Sequence, residues 1–217
     1  MTETADPLLD AEQLATLETM LPHVSLFGWT RRALAEGLRD TGRDASEVAW
    51  RFQGGAPEMI ELFFARALSR AVLAAEPQVA SEIRLTKRVR AVVACLLNEF
   101  GPDKDALRRA VAWLVLPVNA RRLAAITARL VNGIWDAAGD RSTDASRYTK
   151  RATLAAILVP TLLFFLSDID FEHEATLAFF DRRLQGVGRI GRFRAKMQGA
   201  CGGLMGRRVR FAGRAAA

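Results

Sequence analysis

Apolar residues recur along the chain at steps of three and four, and no run between the glycine and proline breaks alternates with the period of two that a half-buried strand needs. The pattern predicts an all-α protein. Asp10 is placed to cap a first helix reaching about Leu21, with Leu14, Leu17 and Leu21 on one face and Pro22 as its end. A second helix is expected from about Thr30 to Asp40, burying Ala33, Leu34 and Leu38, with Gly42 closing it. A short third one starts at Asp44 or Ser46 and passes Val48, Ala49 and Phe52 before Gly54 and Gly55 stop it. Longer amphipathic helices follow at about 57–75, 81–100, 103–116, 119–138, 144–166 and 172–184. Pro57 suits a first turn, Pro77 and Gly101-Pro102 separate neighbours, Asp103 is an N-cap candidate and Gly139 a C-cap. Pro160 should kink or interrupt its helix.

The tight turn over residues 41–44, between two short helices and after a third, draws the outline of a helix-turn-helix at about residues 10–55. Its charge argues against reading DNA. From Trp29 to Gly55 five arginines face four acids, and the second short helix offers Asp44, Glu47 and a single Arg51 where a reader needs cations for phosphates and amides or guanidiniums for base edges.

Over the whole chain of 217 residues, 31 Lys and Arg stand against 24 Asp and Glu, for a net charge of +7. The excess is confined to one end. No acid follows Asp181, whereas ten basic residues do, so everything before Arg182 carries 21 bases against 24 acids. Such a tail suits an anionic surface, lipid or nucleic acid. Cys95 and Cys201 lie far apart, and His23 and His173 have no Cys or His near them, so neither a disulfide framework nor a zinc site is expected, and both histidines read as surface or satisfied core residues. The acidic, polar start at residues 1–10 does not look like a signal peptide. The most apolar stretch, residues 152–166, falls short of the ~20 residues that span a bilayer and reads as a helix enclosed by protein. No nucleophile elbow, phosphate loop, dinucleotide fingerprint or paired Glu-x-x-His is present; no catalytic residue, metal or cofactor is expected.

Four strings taken together are more specific: MLPHVSLFGWTRRALAEGLRDTG, QGGAPEMIELFF, LVNGIWDAAGDRSTDASRYTKRATLAAIL and LAFFDRRLQGVGRIGRF. They resemble the lipid-binding accessory protein family of ubiquinone (coenzyme Q) biosynthesis, whose fold is similar to that of TetR-type repressors. The likeness covers about residues 21–193 and is densest from Gly139 to Leu154. It implies a TetR-like helical bundle with a vestigial helix-turn-helix and a larger lipid-binding core, which assists a demethoxyubiquinone hydroxylase and is not itself an enzyme. It also implies that residues 142–151 belong to the surface facing that hydroxylase, with Asp144, Tyr148 and Lys150 as contacts. Arg147 stands where the family usually has an aromatic residue.

Read locally, Ser142, Thr143 and Asp144 are capping residues, Tyr148 can bury its ring and wet its hydroxyl, and Lys150 and Arg151 can form a solvated face. The apolar run 152–166 is packed core by default; a bend at Pro160 would instead open a gap beside Ile157, Leu158, Leu162 and Phe165. By the resemblance these four line the lipid pocket, with Trp113, Leu116, Leu130 and Trp135 as neighbours. An apolar pocket could hold an isoprenoid chain at ~0.8 kcal/mol per buried methylene.

Residues 1–188 are expected to form one helical domain and residues 189–217 a basic, glycine-rich tail. Plotted as a helix, the tail puts Ile190, Phe193, Met197, Cys201 and Leu204 on one side, and Arg189, Arg192 and Lys196 opposite. Ile190, Arg192, Phe193, Lys196, Met197 and Leu204 are therefore the expected membrane contacts. The glycines at 199, 202, 203 and 206 weaken that helix off the membrane. The expectation is a homodimer, cytoplasmic and peripheral on the inner (cytoplasmic) membrane, binding an isoprenoid lipid or ubiquinone precursor but no nucleic acid. The alternative is a TetR-like regulator that senses a hydrophobic ligand.

Overall fold

The computed structural model describes residues 11–186 apart from residues 45, 47, 141, 143, 144 and 171; all regular structure among them is helical. The helices are α1 (Ala11–Phe27), α2 (Arg31–Asp40), α3 (Val48–Arg51), α4 (Ala56–Ser81), α5 (Leu85–Phe100), α6 (Lys104–Leu114), α7 (Ala120–Ala137) and α8 (Ala145–Ser167), with a 3-10 turn at Pro117–Asn119 and a further helix, α9, over residues 174–186. The all-α reading stands. One contiguous core runs from Leu17 to Phe180. At its centre, Phe63 lies 5.2 Å from Trp29, 5.6 Å from Phe64 and 5.5 Å from Phe100, ring to ring.

Local chemistry sets most helix ends. Thr30 accepts from the Ala33 amide at 3.3 Å and opens α2, while Gly42, at φ 71°, turns the chain out of it. At the end of α7 the Gly139 amide donates to Asp136 O and the Asp140 amide to Trp135 O, each at 3.0 Å, with Gly139 at φ 79°. That is a Schellman cap. Asp103 occupies the N-cap position of α6, but its carboxylate bonds Arg66 at 3.1 Å rather than a helix amide.

The prolines depart from expectation. α1 continues through Pro22 to Phe27, α4 through Pro77 to Ser81, and α8 through Pro160 to Ser167; the break before α5 falls at Glu82–Arg84 instead. In each helix the residue four positions earlier, Glu18, Leu73 or Ala156, is exposed. The carbonyl that loses its amide partner therefore lies on the water side, where hydration offsets the loss.

α1–α3 have the helix-turn-helix outline, docked on the rest by the buried Trp29 Nε1, which donates to Ala106 O at 3.1 Å. Gly37 sits so close to α1 that a Cβ there would lie 2.5 Å from Thr19 O. Two of the five arginines turn inward, Arg43 donating to Thr16 Oγ1 at 3.2 Å and Arg51 pairing with Glu12 and stacking 4.1 Å over Trp50, while Arg31, Arg32 and Arg39 are exposed. α3 has only four residues.

Candidate functional site

The corner between α7 and α8 is built by a buried ion pair. The Schellman cap delivers Asp140 to the top of α7 with its side chain 4% exposed, and Lys150, one turn and a half into α8, donates to Asp140 Oδ1 at 2.9 Å and to Ser142 Oγ at 2.6 Å. Ser142 bonds the same carboxylate oxygen. Burial pushes the Asp140 carboxyl up, but the Ser142 and Lys150 bonds outweigh it and hold the group below the usual carboxylate range. Arg151 adds a second tie, donating to Asn132 Oδ1 and to Asp136 at 3.2 Å on α7. Lys150 and Arg151 are thus clasps between two helices, not a solvated face.

Tyr148 lies on the other side of α8, 77% exposed beside the exposed Arg147, so its ring is not buried. Of the three residues expected to contact a partner, Tyr148 faces outward and Lys150 is half-buried and tied inward; Asp144 lies outside the described residues. The same is true of the tail residues Ile190, Arg192, Phe193, Lys196, Met197 and Leu204.

The pocket candidates divide. Leu130, Trp135, Ile157, Leu158, Leu162 and Phe165 are all buried in the core, Trp113 is half-buried against it, and Leu116 is exposed. α8 runs unbroken through Pro160, so no break there opens a gap beside Ile157, Leu158, Leu162 and Phe165, and none of the eight lines a described cavity. The apolar space lies outside them. A shallow groove of about 490 Å³ runs between α7 and α8, lined by Leu123, Thr127, Val131, Ala152 and Ala155 among others. α8 continues it with the exposed Leu163, and over Ser146–Ser167 it is long and apolar enough to cross a membrane by length and composition alone. That corrects the estimate of a stretch too short. Its Leu154, Ile157, Leu158 and Phe165 nevertheless pack in the protein core.

His173 departs most from its expected role. It is 6% exposed, sits at φ 55°, and its buried Nδ1 has no hydrogen-bond partner among the described residues, so it is not a satisfied core histidine. Nothing in the sequence around it signals this. His23, by contrast, meets Asp40 at 2.7 Å. Among the described residues no group of three His, Cys, Asp or Glu side chains could hold a metal ion.

Comparison with known proteins places the corner in a family. Residues 120–191, covering α7, α8 and α9, match the COQ9 family model. "Ubiquinone biosynthesis protein COQ9, mitochondrial" of Homo sapiens is 32% identical over 182 residues, 81% of this chain and 57% of the relative. The Xenopus tropicalis protein of the same name is 30% identical over 179 residues, 79% of this chain and 56% of that one. The chain therefore spans a little over half the length of these relatives. In structure it is similar to a TetR transcriptional regulator from Nitrosomonas europaea, with a TM-score of 0.65 at 20% identity over 81% of this chain and 97% of the other, which establishes the fold alone. Over four-fifths of its length the chain is similar to COQ9 proteins, and the segment that matches the COQ9 family model sits on a helical bundle similar in fold to a TetR regulator.

Proposed function

We propose that this protein is a non-catalytic accessory factor of ubiquinone biosynthesis, which takes an isoprenoid quinone precursor from the membrane and presents it to a demethoxyubiquinone hydroxylase. The observation that carries the reading is the likeness to ubiquinone biosynthesis proteins over four-fifths of the chain, including the whole α7–α8 corner. The exposed apolar side of α8 and the groove beside it supply a surface on which a lipid chain can lie. Tyr148 supplies an outward aromatic anchor of the kind that dominates interfaces. The basic tail supplies the attraction to an anionic leaflet, at ~1 kcal/mol per Lys or Arg near the surface, and sets the protein peripherally on the cytoplasmic face of the inner membrane. A homodimer completes the proposal. DNA reading finds no footing in a four-residue α3 whose own Arg51, like the preceding Arg43, is bonded back to α1.

The test is native mass spectrometry of the full chain purified from membrane-containing lysate, with extraction and identification of what co-purifies. A bound isoprenoid quinone precursor is expected. A folded protein that never carries lipid refutes the reading. Truncation after Gly188 should abolish binding to anionic liposomes, and unchanged binding would remove the tail from the mechanism.

A further inference from the structure

A cavity of about 840 Å³ opens where the end of α5, the start of α6 and the α8–α9 connection meet. Its walls include Gly101, Pro102, Lys104, Arg108, Leu166 and His173. The volume lies within the range of ligand pockets.

Most of the polar wall is already engaged. Lys104 Nζ donates to Asp168 O and lies 4.3 Å from the Phe165 ring centroid; Arg108 donates to Leu166 O at 3.1 Å and pairs with Asp105. The Asp168 carboxylate accepts from the Thr176 amide and hydroxyl and from the Asp170 amide. Among the buried lining groups His173 is the exception. Its imidazole is packed edge-on against Phe165 at 4.6 Å, the residue is nine-tenths buried, and its Nδ1 is buried with no partner among the described residues. A Cβ built on Gly101 would lie 3.5 Å from Nε2, which sets that nitrogen at the cavity wall. The backbone at His173 is also held at φ 55°, in the left-handed region that is uncommon for residues other than glycine. An unsatisfied buried group and a strained backbone at one residue are features that collect at binding sites.

The walls decide the ligand's charge. Asp168, Asp170 and Glu172 stand among the same lining residues as Lys104 and Arg108, so a phosphate or carboxylate would meet as much repulsion as attraction. A neutral ring fits better: oxygen atoms to accept from the imidazole N–H, and a flat apolar body to lie against Pro102, Leu166 and Ile169. We infer that this cavity is a head-group site for a neutral, oxygen-bearing aromatic or quinone ring, with His173 as its hydrogen-bonding residue. The inference rests on the proposed role in carrying a quinone precursor; the chain of such a lipid would leave past the exposed Ile169.

The test needs no variant to begin with, because the protein has only two histidines, His23 and His173. A dimethoxy-methyl-benzoquinone bearing one isoprene unit is titrated into the full chain while the imidazole resonances are followed by NMR, in parallel with the matching isoprenoid alcohol, which has no ring. The quinone should shift the His173 signals saturably and leave His23 unmoved, and the alcohol should move neither. His173→Asn, which tolerates the left-handed backbone, should retain the fold and weaken quinone binding at least tenfold. A quinone that leaves His173 unshifted, an alcohol that shifts it equally, or equal affinity in the variant each overturns the inference. Lipid co-purifying with a protein that fails these tests would leave the carrier role intact and place the ring elsewhere. A protein that carries no lipid at all, yet binds the quinone at His173, would overturn the carrier role while keeping the site.

Discussion

Replacing Lys150 by Met removes the cation of the α7–α8 clasp while keeping a stem of similar length against Trp135, whose ring lies 5.7 Å from the ammonium. Two hydrogen bonds vanish, to Asp140 Oδ1 and to Ser142 Oγ. A bond to a charged group is worth about 1.5–3 kcal/mol net, and removing one partner of a fully buried pair costs about 3–5 kcal/mol. The Lys150 side chain is 34% exposed, so water screens part of this, but Asp140, at 4%, would be left without its cation. The expected loss is about 2–4 kcal/mol, or roughly 4–16 °C in Tm for a chain of this length. Urea unfolding followed by circular dichroism should show a lower midpoint with an unchanged slope. Adding Asp140→Asn should recover part of the loss, because the two residues form one unit and their effects do not add. A Lys150→Met midpoint within about 0.5 kcal/mol of the parent, or a double variant as unstable as the sum of the singles, would refute the clasp. The point bears on function: a Lys150 variant that loses a partner can do so by releasing the corner and not by losing a contact.

Tyr148→Ala separates the two effects, since a side chain this exposed should change stability by no more than about 0.5 kcal/mol while hydroxylase capture falls at least tenfold; undiminished capture would take the ring out of the interface. Gly37→Ala drives a methyl into the α1 backbone and should cost about 1–3 kcal/mol in urea unfolding, whereas a gain, as helix propensity alone predicts, would show that the two helices can part. Asp140 and Asp168 are both held below the usual carboxylate range, each against burial, which pushes it up: Asp140 by Ser142 and Lys150, Asp168 chiefly by Thr176. Their unfolded forms therefore take up protons first, so their contribution is present above about pH 4 and lost as the pH falls further. Asp140→Asn together with Asp168→Asn should flatten that acid limb of the stability profile, and a limb as steep as the parent's would assign it to other carboxylates.

Much of the architecture was legible because it is locally encoded. Thr30, Gly42 and Gly139 act within one turn of their own positions, so the ends of α2 and α7 can be read from a few residues. The prolines could not be read that way. Whether Pro22, Pro77 and Pro160 end a helix depends on whether the orphaned carbonyl faces water, and that is decided by which side of the helix packs. The same holds for Ile157, Leu158, Leu162 and Phe165, whose apolar character suits a packed core and an open pocket equally.

The sequence by itself determined an all-helical chain, a basic tail, a near-neutral charge over the helix-turn-helix stretch and a likeness to a ubiquinone-pathway family, since periodicity, charge and motif order need no third dimension. Only the tertiary structure decided that Lys150 is spent on a buried carboxylate, that Ile157, Leu158 and Phe165 of α8 are buried in the core, and that His173 keeps an unpaired Nδ1 beside a cavity. Each depends on residues far apart in the chain arriving together, and burial then sets what a charge, a ring or an imidazole is worth.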